Sequence, residues 1–203
     1  MNAVENGDSK NQTYNRSKED EISEQLLRIP LGHHCLVLYS NIETMRKVYA
    51  NYVKRQMEEQ SESIILFLSY YDTTENVRYF LGQKGIQVKE YEQNGSIIIL
   101  DIVQAIDYPF FEVPDVERLR ELTKKLVNQF EDKTVCVIAD MSVFHHINKT
   151  SHLLKYEKNL QKDPKVEKWK ELCLYHKRDF ESMFTEEESN ELMAYHKDKV
   201  ITV

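Results

Sequence analysis

Short runs of aliphatic and β-branched residues recur along the chain at 35–39 (CLVLY), 63–69 (SIILFLS), 96–102 (SIIILDI), 133–140 (KTVCVIAD), 171–176 (ELCLYH) and 200–203 (VITV). They are continuously apolar rather than alternating, the pattern of strands buried on both faces. Five or six strands are predicted. Between them, apolar residues return at helical spacing: Met45, Val48, Tyr49, Tyr52 and Val53; Val77, Phe80 and Leu81; Val116, Leu119, Leu122, Leu126, Val127 and Phe130; Leu153, Leu154 and Leu160. Each set is one buried stripe of a helix. Pro114-Asp115 reads as a helix start, and Thr185 with Glu188 has the spacing of a capping box ahead of Leu192 and Met193. Apolar strands separated by helices imply an α/β fold, three-layered, with a mostly parallel sheet flanked by helices. Residues 1–22 carry almost nothing apolar and are expected to form a disordered leader, with one folded domain over 23–203. Gly82 and Gly85 are expected in a helix-to-strand turn. No solenoid repeat or helix-turn-helix with a basic recognition helix is visible.

Composition narrows the function classes. With 203 residues, 41% of them apolar, the chain suits a single ordinary core. No apolar run reaches the ~18–20 residues of a membrane span, and the first twenty residues hold no apolar segment of the kind a secretory signal needs. Twenty-seven basic against thirty-four acidic residues give a net charge of −7, the wrong sign for a chain that must neutralise phosphates broadly, so nucleic acid is not expected as a direct partner. Three cysteines, Cys35, Cys136 and Cys173, lie in apolar segments with no CxxC pair. Buried thiols of this kind suit a reducing cytoplasm.

In an open parallel sheet ligands bind beyond the carboxyl ends of the strands. Those ends carry Tyr39 and Ser40; Ser69, Tyr70, Tyr71 and Asp72; Asp101; Asp140, Met141 and Ser142; and Tyr175, His176 and Arg178. Aromatic rings, hydroxyls and a few charges suit a pocket with apolar walls and a few fixed polar points. A nucleotide is disfavoured. The residues after Tyr39, from Ser40 to Lys47, lack the glycines and the Gly-Lys-Ser/Thr ending that cradle phosphates, although VCVIAD ending in Asp140 looks like a strand that would help hold magnesium.

His33, His34, Cys35, Cys136, Cys173 and His176 raise the question of a metal, but no CxxC or HxxxH unit is present, and neither a metal nor another cofactor is expected. Glu157 breaks its own pattern: it falls inside the stripe of Leu153 and Leu160, where a carboxylate needs a partner, for instance Arg178. It is expected to share one pocket with Asp140. No GxSxG elbow or other hydrolase signature occurs, and no catalytic residue is assigned.

The order of these segments also carries a family resemblance. HHCLVLY (33–39), IILFLS (64–69), the glycines Gly85 and Gly95, ADMS (139–142), LLKYEKNL (153–160) and LCLYxxxxF (172–180) resemble the methanogen/methylotroph sensory (MEDS) domain over about 31–203. The resemblance implies a KaiC/RecA-type scaffold without its phosphate-binding loop. It further implies a sensor of small hydrocarbon derivatives, of a family often fused to kinase or DNA-binding modules. His34, Tyr39, Asp140, Ser142, Tyr156, Glu157 and Tyr175 match the family pattern; position 176 is His where relatives tend to carry Asp. With Ser69, Tyr70 and Arg178 from the strand ends, these are the candidate ligand-binding residues. As the chain shows no output module, a protein partner or self-association is expected to carry the signal. The alternative is a degenerate ATPase-like scaffold that binds protein and no small ligand.

Overall fold

The computed structural model describes residues 16–60, 62–105, 121, 124–126, 128–130, 133–146, 150–160, 169–196 and 199–203. Six strands, β1 (His34–Tyr39), β2 (Ile64–Ser69), β3 (Ile97–Asp101), β4 (Val135–Asp140), β5 (Trp169–His176) and β6 (Val200–Thr202), form one sheet in the order β3-β2-β4-β5-β1-β6. Every pairing is parallel. The register brings the carboxyl ends level, with Tyr39 beside His176, Asp140 beside Leu174 and Ser69 beside Asp101.

Helices α1 (Lys18–Leu27), α2 (Ile42–Glu59), α3 (Thr74–Gln83) and α4 (Val88–Gln93) supply the core on one sheet face, against Cys35, Val37, Ile65, Phe67, Cys136, Ile138, Leu172 and Leu174. The other face, carrying Leu36, Leu66, Leu68, Val137, Ala139, Cys173 and Tyr175, is covered by α5 (Ile102–Ala105), α6 (Val143–His146), α7 (Thr150–Leu160), α8 (Lys177–Met183) and α9 (Glu186–His196). Two cores therefore share one sheet, which is why the strands read as continuously apolar. Among the described residues no helix is long and apolar enough to cross a membrane.

Local chemistry sets the ends of these elements. Asn41 caps α2 by accepting the Thr44 N–H at 3.1 Å, and Thr73 caps α3 through the Asn76 N–H at 3.1 Å. The capping box is present: Thr185 Oγ1 accepts the Glu188 N–H at 3.2 Å, and the Glu188 carboxylate accepts the Thr185 N–H at 2.9 Å. After α3 the chain turns through Gly85 at φ +81°, a left-handed conformation that glycine adopts without strain. This turn leads into α4 rather than directly into a strand; α4 buries little beyond Val88, too little for a stripe to show in the sequence. The expected helix at Pro114-Asp115 and most of the 116–130 stripe lie outside the described residues.

The expected leader boundary at residue 22 is corrected. Helix α1 begins at Lys18, capped by Ser17, and buries Ile22, Ser23 and Leu26. The Ser23 hydroxyl donates to Glu19 O at 2.7 Å and lies 3.1 Å from Val48 O of α2, while Glu24 accepts from Arg55 at 2.9 Å. One apolar stripe of two residues is too sparse to reveal a helix, and the three acids of its first turn disguise it as a polar leader, although they suit a helix N-terminus. Ile22→Ala is therefore expected to destabilise the domain by about 2–4 kcal/mol in urea denaturation, the usual range for truncating a buried isoleucine. An unchanged midpoint would show that α1 does not dock.

Candidate functional site

The carboxyl ends of β1, β2, β4 and β5 meet a narrow crevice on the α2 face, with about 10 Å³ of free space, lined by Tyr39, Ile42, Met45, Tyr49, Phe67, Ser69, Asp72, Asp140 and Leu174. Its walls are apolar and its acids are held. Asp72 accepts both Arg46 Nε at 3.0 Å and Nη2 at 2.8 Å, and the Tyr49 hydroxyl at 2.9 Å. Arg46 also pairs with Glu43 and lies 4.8 Å from the centroid of the Phe80 ring. Asp140 accepts the backbone N–H of Tyr71 at 2.9 Å and that of Ser142 at 3.1 Å. Burial pushes its carboxyl up to about 6, against the lowering effect of those two N–H groups. Ser69 Oγ donates to Leu100 O at 3.3 Å.

Beside the crevice stands an aromatic rim. Tyr71 donates its hydroxyl to Asp179 and contacts His146 Nε2 at 3.1 Å, with Tyr70 and His176 rings 5.7 and 5.5 Å from its own. Ser142 ties this rim to the sheet by accepting the His176 N–H at 3.0 Å.

The turn between β1 and α2 is only Ser40 and Asn41. A phosphate cradle needs a longer glycine-rich loop whose free amides face the anion, and here the Asn41 side chain occupies the Thr44 amide.

A second polar cluster is buried on the opposite face. Glu157 of α7 is fully buried and accepts the Tyr175 hydroxyl at 2.6 Å. Its other oxygen lies 3.9 Å from His34 Nε2 and 3.5 Å from His196 Nε2. Next to it, Tyr156 donates to Glu171 at 3.1 Å, and burial followed by the Glu157 charge pushes the Glu171 carboxyl up to about 8. Burial pushes the His34 imidazole down to about 3, so that ring is neutral.

The candidate residues thus divide. Tyr39, Ser69 and Asp140 line the crevice, and Tyr70 and Ser142 stand at its rim. His34, Tyr156, Glu157 and Tyr175 belong to the buried cluster. Arg178 is exposed on α8. Two expectations are corrected here. Asp140 and Glu157 do not share a pocket: Asp140 follows Cys136 and Ile138 on the α2 face, whereas Glu157 projects from a helix on the other. The partners of Glu157 are Tyr175 and two histidines, not Arg178.

Nor do the six histidines and cysteines gather. Cys35 and Cys136 lie on the α2 face, Cys173 on the other, and His176 at the rim; all three thiols are free and buried. His196 went unread in the sequence, yet it follows Leu192 by four residues, and the spacing that singled out Glu157 marks it equally. Arg46 and Asp179 are the other unassigned participants, because their pairing is long-range and leaves no local signal, whereas Tyr71 and Asp72 stand among the strand-end residues of the sequence without being candidate ligand-binding residues.

No curated protein matches the chain. Among solved structures, a KaiC-like protein from the hyperthermophilic archaeon Pyrococcus horikoshii superposes with a TM-score of 0.54 at 16% identity, over 72% of this chain and 62% of that one. An uncharacterized protein from Pyrococcus horikoshii, in complex with an unknown peptide, gives 0.56 at 14% identity over 80% and 78%. At such identities the likeness is one of fold, and it is the KaiC-like α/β fold that the sheet order describes. The family model for the MEthanogen/methylotroph, DcmR Sensory domain matches residues 33–197, from the start of β1 to the end of α9, and the chain belongs to this MEDS family.

Proposed function

We propose that the chain is a non-enzymatic sensor that takes a small, largely apolar molecule, a simple hydrocarbon derivative, into the crevice at the strand carboxyl ends. The signal passes on through altered contacts with a signalling partner or a second copy. The observation that carries this reading is the state of the crevice acids. Asp72 and Asp140 are already hydrogen-bonded within the protein, so the crevice does not require a cation or a strongly polar guest. What remains for a ligand is the apolar wall of Ile42, Met45, Phe67 and Leu174, with the Tyr39 and Ser69 hydroxyls for orientation. The free space there is small, about 10 Å³, so a guest of few heavy atoms has to part Ile42 and Met45 from the strand ends as it enters. Three free buried thiols fit a cytoplasmic setting.

The rival reading, a protein-binding scaffold without a small ligand, draws on the exposed Tyr71 and Tyr79 rings and on the peptide bound to the second Pyrococcus structure. Methyl NMR separates the two. A panel of short haloalkanes, alcohols and ketones is expected to shift the methyl signals of Ile42, Met45 and Leu174 selectively. Ile42→Trp, placed at the half-buried mouth, is expected to weaken that response at least about tenfold by filling the crevice. A panel that shifts none of these methyls would overturn the sensor reading in favour of the scaffold.

Calorimetric titration with Mg·ATP is expected to show no binding at micromolar concentrations, because the two-residue β1–α2 turn offers no phosphate cradle. Micromolar binding would refute it.

A further inference from the structure

We infer that His34, Glu157 and His196 form a binding site for a divalent transition-metal ion, clamping α7 and α9 onto the first residue of β1. The three side chains come from three separate elements and are almost wholly buried, with side-chain exposures of 6%, 0% and 0%. One ligand atom from each lies within 4.8 Å of the other two. The histidine rings meet edge to face, with centroids 4.3 Å apart and planes at 79°.

His196 Nδ1 lies 2.8 Å from the Leu192 carbonyl oxygen, an acceptor only, so the Nδ1 proton is donated there and Nε2 of the neutral ring carries a lone pair. This is the outer contact that metal-bound histidines characteristically make. The Tyr175 hydroxyl proton is spent on Glu157 Oε1, which leaves Oε2 as a bare acceptor. Glu157 Oε2, His34 Nε2 and His196 Nε2 have no hydrogen-bond partner among the described residues. Buried polar atoms that converge unpaired are costly, and a cation between them removes that cost, with the Cys173 thiol the other neighbour of Glu157.

Distance separates a metal from a shared proton. The gaps of 3.5 and 3.9 Å from Glu157 Oε2 to the two Nε2 atoms are too long for charge-assisted hydrogen bonds, which run at about 2.7–2.9 Å. They lie close to the roughly 3.3–3.4 Å that separates ligands bound at about 2.0–2.1 Å in a tetrahedron. Two imidazoles and one carboxylate suit Zn²⁺, or Fe²⁺ with open positions. No fourth side chain completes the group among the described residues, which leaves that position to water or an exogenous donor. The site stands on the face opposite the crevice and does not depend on the sensor reading.

The test uses untagged full-length chain, stripped with a chelator and titrated with Co²⁺, whose visible bands report coordination, followed by competition with Zn²⁺. About one Co²⁺ per chain is expected, displaced by Zn²⁺, with a raised melting temperature. Glu157→Gln and His196→Gln, checked for fold by circular dichroism, are each expected to weaken Co²⁺ binding by on the order of 100-fold through loss of one ligand. His152→Gln, at an exposed histidine of the same helix as Glu157, is expected to bind as the wild type does. Folded wild-type protein that takes up no Co²⁺ would overturn the proposal. So would binding that survives in both ligand variants, or that is lost in His152→Gln.

Discussion

A parallel sheet buried on both faces leaves its polar chemistry few places to go. Backbone groups are consumed by the ladder, strand interiors must be apolar, and polar side chains are confined to strand ends or to specific partners within a core. This chain uses both. Tyr39, Ser69, Asp72 and Asp140 gather at or just beyond the carboxyl ends, where residual exposure and backbone N–H groups make an acid tolerable. Glu157 instead lies deep in a core, and is tolerable there only because Tyr175, His34 and His196 face it.

The same constraint shapes the connection between β1 and α2. With only two residues between β1 and α2, the start of α2 sits against the strand ends. There Arg46 reaches Asp72, and the Asn41 side chain takes the Thr44 amide. The space that remains is bounded by Ile42, Met45 and Leu174, which makes it an apolar crevice.

All six strands were legible because double-sided burial leaves an unbroken apolar run, and the α2, α3 and α7 stripes because each presents one face to a core. Helix α1 was hidden by its acidic first turn, and the shared pocket for Asp140 and Glu157 failed for a different reason. Alternation along β4 shows that Asp140 shares a side with Ile138, but which helices cover that side depends on strand order. Crossovers are right-handed, so a connection that moves one way across the sheet and one that moves back lie on opposite faces. The β1–β2 crossover through α2 runs past β5 and β4, whereas the β4–β5 crossover containing α7 runs the other way. That order, fixed only by tertiary packing, separates the two acids. His196 was legible in principle, since its spacing from Leu192 is the same argument that exposed Glu157.

Separation by a sheet is not isolation, because the two clusters share strands. Leu174 lines the crevice, and the next residue, Tyr175, holds Glu157 on the other side. Likewise β1 begins at His34 in the buried cluster and ends at Tyr39 in the crevice. A strand locked on both sides by ladder hydrogen bonds moves as a unit, so a guest that displaces Leu174 displaces the Tyr175 hydroxyl with it. The 2.6 Å bond to Glu157 makes such a shift costly, since it leaves a buried acceptor without its donor. The crevice and the buried triad are therefore joined by one peptide bond of β5, a shorter physical path than any that runs over the surface.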